Sequence, residues 1–266
     1  MKCFFYGVVG THPNLTIKNN YTNTSCVYLE TDSAHLIFDA GSGILNCANA
    51  HTFNSKPIFI FLSHFHYDHI MGLLFFAPLL NGTQDIYFVH PDPALTKKAI
   101  QSFFSPTFFP LSFSSFKKKP SFISPANFKV DNIDVTHLEL SHPGKSYAYK
   151  LAFKDKSFIY ATDNELCDSN YNDCVSFFNS ADVLIHDCYF YNENKTNVHK
   201  WGHSFLHQNL QIAHDANIKN LCLFHHHPNR TESQFTTMKK DITTFIKQHN
   251  ATFTCYITHD SFILDF

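Results

Sequence analysis

Four side chains able to hold a metal fall within six residues, His64, His66, Asp68 and His69 in the stretch Ser63-His64-Phe65-His66-Tyr67-Asp68-His69. The stretch follows the apolar run Pro57-Ile58-Phe59-Ile60-Phe61-Leu62, which is too short and too rich in Ile and Phe for a helix and reads as a buried strand. Ile70 to Phe76 reads as the first turns of a helix, which leaves the cluster on a strand-to-helix loop. In extended chain His64 and His66 face the same way. Asp68 and His69 can turn toward a second point close by. Two imidazoles beside a carboxylate–imidazole pair suit two borderline-soft divalent cations such as zinc. A lone histidine in such a loop is usually an ordinary polar residue, but three with an aspartate, at this spacing after a buried strand, point to metal chemistry.

The elements that must position this cluster can be read along the chain. Residues 3–9, Cys26 to Glu30 and Leu36 to Asp39 are expected strands, and the turn Ala40-Gly41-Ser42-Gly43 closes the third. Residues 84–90 read as a further strand and Pro93 to Phe104 as a short helix. The Pro/Phe/Ser segment 105–113 is too apolar for a free linker and is expected to pack over the sheet edge rather than form a lid. Lys117 to Lys119 is the only basic run and reads as a solvated face. Three later strands end in residues of the same chemistry. Val135 to Leu140 leads into Ser141-His142-Pro143-Gly144, a histidine where the chain must turn. His137 lies along that strand and is left out of the set. Ser157 to Thr162 ends at Asp163, whose two oxygens can bridge two cations. Leu221 to Phe224 ends at His225-His226-His227; His225 is nearest the sheet end and is preferred, with His226 and His227 open as alternatives.

Bulk composition sets the frame. A chain of 266 residues has room for one large α/β domain, and one domain over 1–266 is expected; 44% hydrophobic residues and 30 Phe supply the core. A net charge of −2 with 20 Lys and Arg argues against a binder of long polyanions. Histidine is in excess: the 19 present nearly match Lys plus Arg, and histidine is the commonest metal ligand. No apolar run reaches the ~18 residues that span a bilayer, and Met1 to Gly10 is too soon broken by glycine for a signal peptide. Eight Cys without a C-x-x-C pair indicate neither a disulfide framework nor a zinc knuckle. Reduced thiols in a cytoplasmic protein follow.

The H-x-H-x-D-H stretch, Asn23-Thr24-Ser25-Cys26, Asp39-Ala40-Gly41-Ser42-Gly43, Thr162-Asp163, Asp182 to Asp187, Trp201-Gly202-His203-Ser204 and the L-x-L-F-H-H run at 221–226 occur in an order that resembles the metallo-β-lactamase superfamily. Within it the chain is similar to the tRNase Z-like branch. From about Phe4 to Pro228 it looks like that branch's phosphodiesterase members, including the anti-Pycsar proteins that phages use against cyclic-nucleotide immunity. The resemblance implies a four-layer αββα sandwich in the α/β class. His64, His66 and His142 would hold one Zn²⁺ and Asp68, His69 and His225 the other, with Asp163 bridging and Mn²⁺ as the alternative metal. Asp39 would hold a ligating histidine through its second ring nitrogen. His203, held by Asp187, would protonate the leaving alkoxide. Two departures stand out: Asp187 occupies the place of a Glu in tRNase Z, and the spacing from His142 to Asp163 leaves no room for the long tRNA-binding arm.

The low charge and the missing arm point to a small substrate, and the resemblance implies a metal-dependent phosphodiesterase that cuts 3′,5′-cyclic nucleotides to monophosphates. Phe108, Phe109 and Trp201 are expected to stack on its base. The alternatives are an RNA 3′-processing nuclease, a β-lactamase or thiolester hydrolase of the same fold, and a metal-stabilised protein without turnover. Relatives of this kind are often homodimers, with Asn14 to Ser25 as a contact loop; no membrane partner and no long nucleic acid are expected.

Overall fold

The computed structural model describes residues 1–14, 20–53, 56–191, 193 and 198–266. Its first sheet is built from β1 (Lys2–Gly7), β2 (Cys26–Glu30), β3 (His35–Phe38), β4 (Ile58–Phe61), β5 (Ile86–Val89) and β6 (Ser121–Ile123). Its second sheet is built from β7 (Asp134–Leu140), β8 (Ser146–Phe153), β9 (Lys156–Ala161), β10 (Val183–Asp187), β11 (Asn220–Phe224) and β12 (Thr254–Ile257). The last strand, β13 (Ile263–Asp265), returns to pair with β1, giving orders β13-β1-β2-β3-β4-β5-β6 and β12-β11-β10-β9-β8-β7. β3 to β6 run parallel, as do β9 to β12. The central strands are apolar along their whole length because they are covered on both faces, as β4 (Ile-Phe-Ile-Phe, all buried) shows.

Phe5, Phe38 and Phe61 from the first sheet meet Phe158, Tyr160 and Phe224 from the second in the seam between the sheets. The outer face of the first sheet is covered by α1 (Ile44–Ala50), α2 (Tyr67–Ile70), α3 (Ala77–Asn81) and α4 (Pro93–Phe103). The outer face of the second is covered by α5 (Tyr171–Phe178), α6 (Leu206–Asp215) and α7 (Glu232–His249). Helix, sheet, sheet and helix make the four layers expected. Each fully buried Phe of the seam stabilises this arrangement by about 1.5–3 kcal/mol.

The expected strands stand within a residue or two, and two local readings need correcting. The helix after the histidine cluster starts at Tyr67, not Ile70, so Asp68 and His69 sit in its first turn. It also does not continue: the His69 carbonyl accepts from Ala40 N–H at 2.7 Å and Gly72 N–H donates to Ala40 O at 2.9 Å. The chain is tied to the exit of β3 and tightens to a 3₁₀ turn over Met71–Phe75. Segment 105–113 does pack, through Phe109 and Phe113, but Phe108 stands out with 76% of its surface exposed. Part of the expected contact loop, residues 15–19, lies outside the described residues.

Candidate metal centre

Parallel strands bring their carboxyl ends to one edge of a sheet, where side chains can converge in the loops that follow. β3 leads into Asp39, β4 into Ser63-His64, β9 into Thr162-Asp163 and β11 into His225, while β10 ends on Asp187. Asp39, Asp163 and His225 each take a left-handed backbone, with φ of 56°, 55° and 55°, which turns the chain sharply off the sheet at those points. The structure brings His64, His66, Asp68, His69, His142, Asp163 and His225 into one cluster, with His203 and Asp187 on its flank.

Asp163 lies at the centre and its two oxygens face different partners. Oδ1 is 3.9 Å from His64 Nε2 and 3.7 Å from His142 Nε2, and His142 Nε2 is 3.1 Å from His66 Nδ1. Oδ2 is 3.3 Å from His69 Nε2 and 3.4 Å from His225 Nε2. Asp68 Oδ2 completes that side, 3.3 Å from His69 Nε2 and 3.2 Å from His225 Nε2. Donors each ~2.0–2.1 Å from a shared tetrahedral cation lie about 3.3–3.4 Å apart, so these spacings suit two such ions.

The imidazoles are aimed by their other nitrogen. Asp39, fully buried, accepts from His69 Nδ1, Ser63 Oγ and Tyr160 Oη, each at 2.7 Å, and from Ser63 N–H at 2.7 Å. His64 Nδ1 is 3.0 Å from Ser63 Oγ, and His142 Nδ1 donates to Gly202 O at 3.0 Å. Each of the three rings thus turns Nε2 toward Asp163. His64 Nε2 and His69 Nε2 are buried with no hydrogen-bond partner among the described residues, which an interior tolerates poorly unless a cation takes the lone pairs. His226 faces away, Nε2 on Thr258 O at 3.0 Å, and His227 accepts Asn229 N–H at 3.1 Å; of the three, His225 is the one whose ring joins the cluster.

Burial opposes ionisation of Asp163, but the surrounding histidines, His225 and His69 first, hold its carboxyl well below the usual range. Burial likewise works against a charged His69, yet Asp68, Asp163 and Asp39 push it well up, while burial holds His64 down. A proton on His69 and a divalent cation answer the same demand of the buried carboxylates. His203 donates Nδ1–H to Asp187 Oδ2 at 2.6 Å; burial alone would lower its pKa, but Asp187 outweighs it and lifts the ring to about 9.

Several residues of the site carry no sequence signal. Tyr189, two residues after Asp187, stacks on His203 with centroids 4.4 Å apart and 19° between planes. Its hydroxyl is 2.9 Å from Thr11 Oγ1, and Thr11 N–H donates to Asp68 at 2.7 Å. Arg230, buried, holds the carbonyls of Cys188 and Tyr189 from behind. Glu165 accepts from Gly202 N–H and Lys200 N–H, both at 3.1 Å, and so fixes the loop that gives His142 its acceptor. Only their position near a strand end marks them in the sequence.

A chain with this fold and this donor cluster belongs to the beta-lactamase superfamily, whose domain matches residues 35–226. It is a metallo-hydrolase of that superfamily. Among curated proteins it is 22% identical to a ribonuclease Z of Halalkalibacterium halodurans over 99% of this chain and 97% of the relative. Among solved structures it is similar to the metallo-beta-lactamase fold protein YhfI of Bacillus subtilis, with a TM-score of 0.73, 20% identity and 99% and 98% of the two chains covered. A diphosphatase of the PhnP family superposes with a TM-score of 0.69 at 14% identity, over 100% of this chain and 97% of that one.

Proposed function

We propose that the cluster is the active centre of a phosphodiesterase holding two transition-metal ions, zinc first and manganese as the alternative, and that it hydrolyses small phosphodiesters, 3′,5′-cyclic nucleotides above all. The observation that carries this reading is the division of donors between the two oxygens of Asp163. His64, His66, His142 and Oδ1 would hold one ion; Asp68, His69, His225 and Oδ2 the other. When bound, such a pair supplies an activated water and neutralises the phosphate oxygens. The chain supplies the rest. Asp187 fixes Nδ1 of His203, so the proton for the leaving group sits on Nε2. As water adds to phosphorus and the P–O3′ bond breaks, that proton passes to O3′, giving the 5′-monophosphate. Asp187 keeps its charge and stabilises the ring until it is reprotonated.

The surroundings of His142 support a small substrate. β7, β8 and β9 form a meander joined by tight turns at 141–145 and 154–155, with no inserted arm. The basic run offers little to a polyanion: Lys118 pairs with Asp85 at 2.7 Å, and Lys119 donates to the carbonyls of Phe113 and Ser114, both at 2.6 Å. The ribonuclease Z relative, matched over 97% of its length, supports a second reading, RNA 3′ processing.

A hydrolysis panel on the metal-loaded protein separates the two. Bis-p-nitrophenyl phosphate, 3′,5′-cyclic AMP and 3′,5′-cyclic CMP are expected to be cut, pre-tRNA and nitrocefin to survive, and two metal ions per chain to be counted. The rate should change only modestly from low to physiological salt, whereas many phosphate contacts would give a steep slope. Trimmed pre-tRNA with intact cyclic nucleotides overturns the substrate and leaves the centre standing. A folded, zinc-grown protein without metal overturns the centre.

A further inference from the structure

Beside the metal centre lies a cavity of about 450 Å³ that the hydrolytic chemistry leaves unused. Phe65, Tyr67, Ile70, Leu74, Phe103 and Phe108 line it. Phe65 and Tyr67 are the chain neighbours of His66, the one exposed histidine of the cluster, and Ile70 follows His69, so the cavity wall is built from the same segment that carries the donors. Tyr67 meets Phe103 edge-on at 5.7 Å, and both Tyr67 and Phe108 are left mostly uncovered, 60% and 76% exposed. Exposed aromatic rings around an apolar hollow need an explanation beyond packing. Phe109 instead turns inward to Phe104 at 5.9 Å, and Trp201 sits near Phe190 at 6.2 Å, on the His203 side of the centre. Neither lines this cavity, so of the three aromatics expected to stack, only Phe108 remains.

The geometry points to this cavity as the nucleobase subsite, with Tyr67, Phe103 and Phe108 as its stacking platform, which accepts purines and pyrimidines alike. The inference rests on the phosphodiesterase reading above and names what that site grips. The volume lies in the range of small-molecule pockets. A sugar ring separates base from phosphate, and the cavity wall begins one residue along the chain from His66. Every base has a π-face, and stacking on an aromatic side chain is worth ~1–3 kcal/mol whichever base it is. Among the described residues, the only polar side-chain groups on the lining are the hydroxyls of Tyr67 and Ser102, and no charged residue lines the cavity. Such a wall holds a ring without reading its edge.

Binding of nucleoside monophosphates to the metal-loaded chain tests this apart from turnover. AMP and CMP, measured by calorimetry, should bind at least about tenfold tighter than ribose 5-phosphate, which has the phosphate and sugar but no base. AMP and CMP should lie within tenfold of each other. Phe108→Ala and Tyr67→Ala, both at exposed positions, should each remove most of that advantage while the affinity for ribose 5-phosphate stays the same. Equal affinity of AMP and ribose 5-phosphate overturns the subsite, as does a loss in the variants that falls equally on all three ligands. A preference for one base of a hundredfold or more overturns its indifference. If the wild-type chain shows the base advantage but hydrolyses no phosphodiester, the function fails and the subsite holds. Hydrolysis without a base advantage is the reverse outcome.

Discussion

His203 is held on three sides, by the Asp187 carboxylate, the Tyr189 ring and His142 at 5.3 Å. A general acid needs that fixity because the proton must arrive as the bond breaks. His203→Ala should keep both metals, lose about 10²–10⁴-fold on cyclic nucleotides, and lose far less on bis-p-nitrophenyl phosphate, whose leaving group needs little protonation. Equal losses on the two substrates would assign His203 to structure. Tyr189→Leu should give a weaker form of the same selective loss, and none beyond His203→Ala when the two are combined; additive losses would separate the stacking from the proton. Asp39 works at one remove. Asp39→Asn should weaken metal affinity by about 10–100-fold, read in a chelator competition, because His69 loses its anchor.

At the scale of elements, the tie between Glu165 and the turn at Lys200 to Gly202 decides where His142 points. Gly202 has φ of +84°, and a Cβ there would land on His142 Nδ1. Gly202→Ala should therefore displace His142 and cost roughly one of the two metal equivalents in a titration, while Trp201→Ala, at its exposed neighbour, should keep both. Two equivalents in Gly202→Ala would show that the loop yields. The same contrast explains what the sequence discloses. His64, His66, Asp68, His69, Asp163 and His225 could be picked out because they follow short apolar strands, and His142 because it sits where the chain must turn after β7. The early start of α2 at Tyr67 could not, since it depends on Ala40 claiming the His69 carbonyl from another strand. Tyr189, Glu165 and Arg230 act through ring stacking or through contacts 35 to 178 residues away along the chain, and no local pattern encodes these. The choice among His225, His226 and His227 turns on the left-handed φ at His225, again invisible in three identical letters.

For the molecule as a whole, buried histidines make acid a denaturant. His90 is 1% exposed between the rings of Phe65 and Tyr147, and burial holds its pKa down to about 4 despite support from Asp92. The unfolded chain binds this proton from about pH 6.5 and the folded chain only near 4, so the stability is complete above 6.5 and is lost as pH falls through that window. His90→Asn should lose about 2 kcal/mol less than the wild type between pH 7.5 and 5 in urea titrations, if it folds as well at pH 7.5. Identical slopes would remove His90 from the account. The candidate donors come from both halves of the sandwich: His64, His66, Asp68 and His69 follow β4, whereas His142, Asp163 and His225 follow strands of the second sheet. Their mutual distances are therefore set by the aromatic seam, where Phe38 meets Phe158 at 5.1 Å. Cobalt in place of zinc would turn that dependence into colour. A visible band sensitive to ligand angles should shift in Phe158→Leu, a change five residues before Asp163 and outside the cluster, making the hue of the protein a gauge of how well its colourless interior is packed.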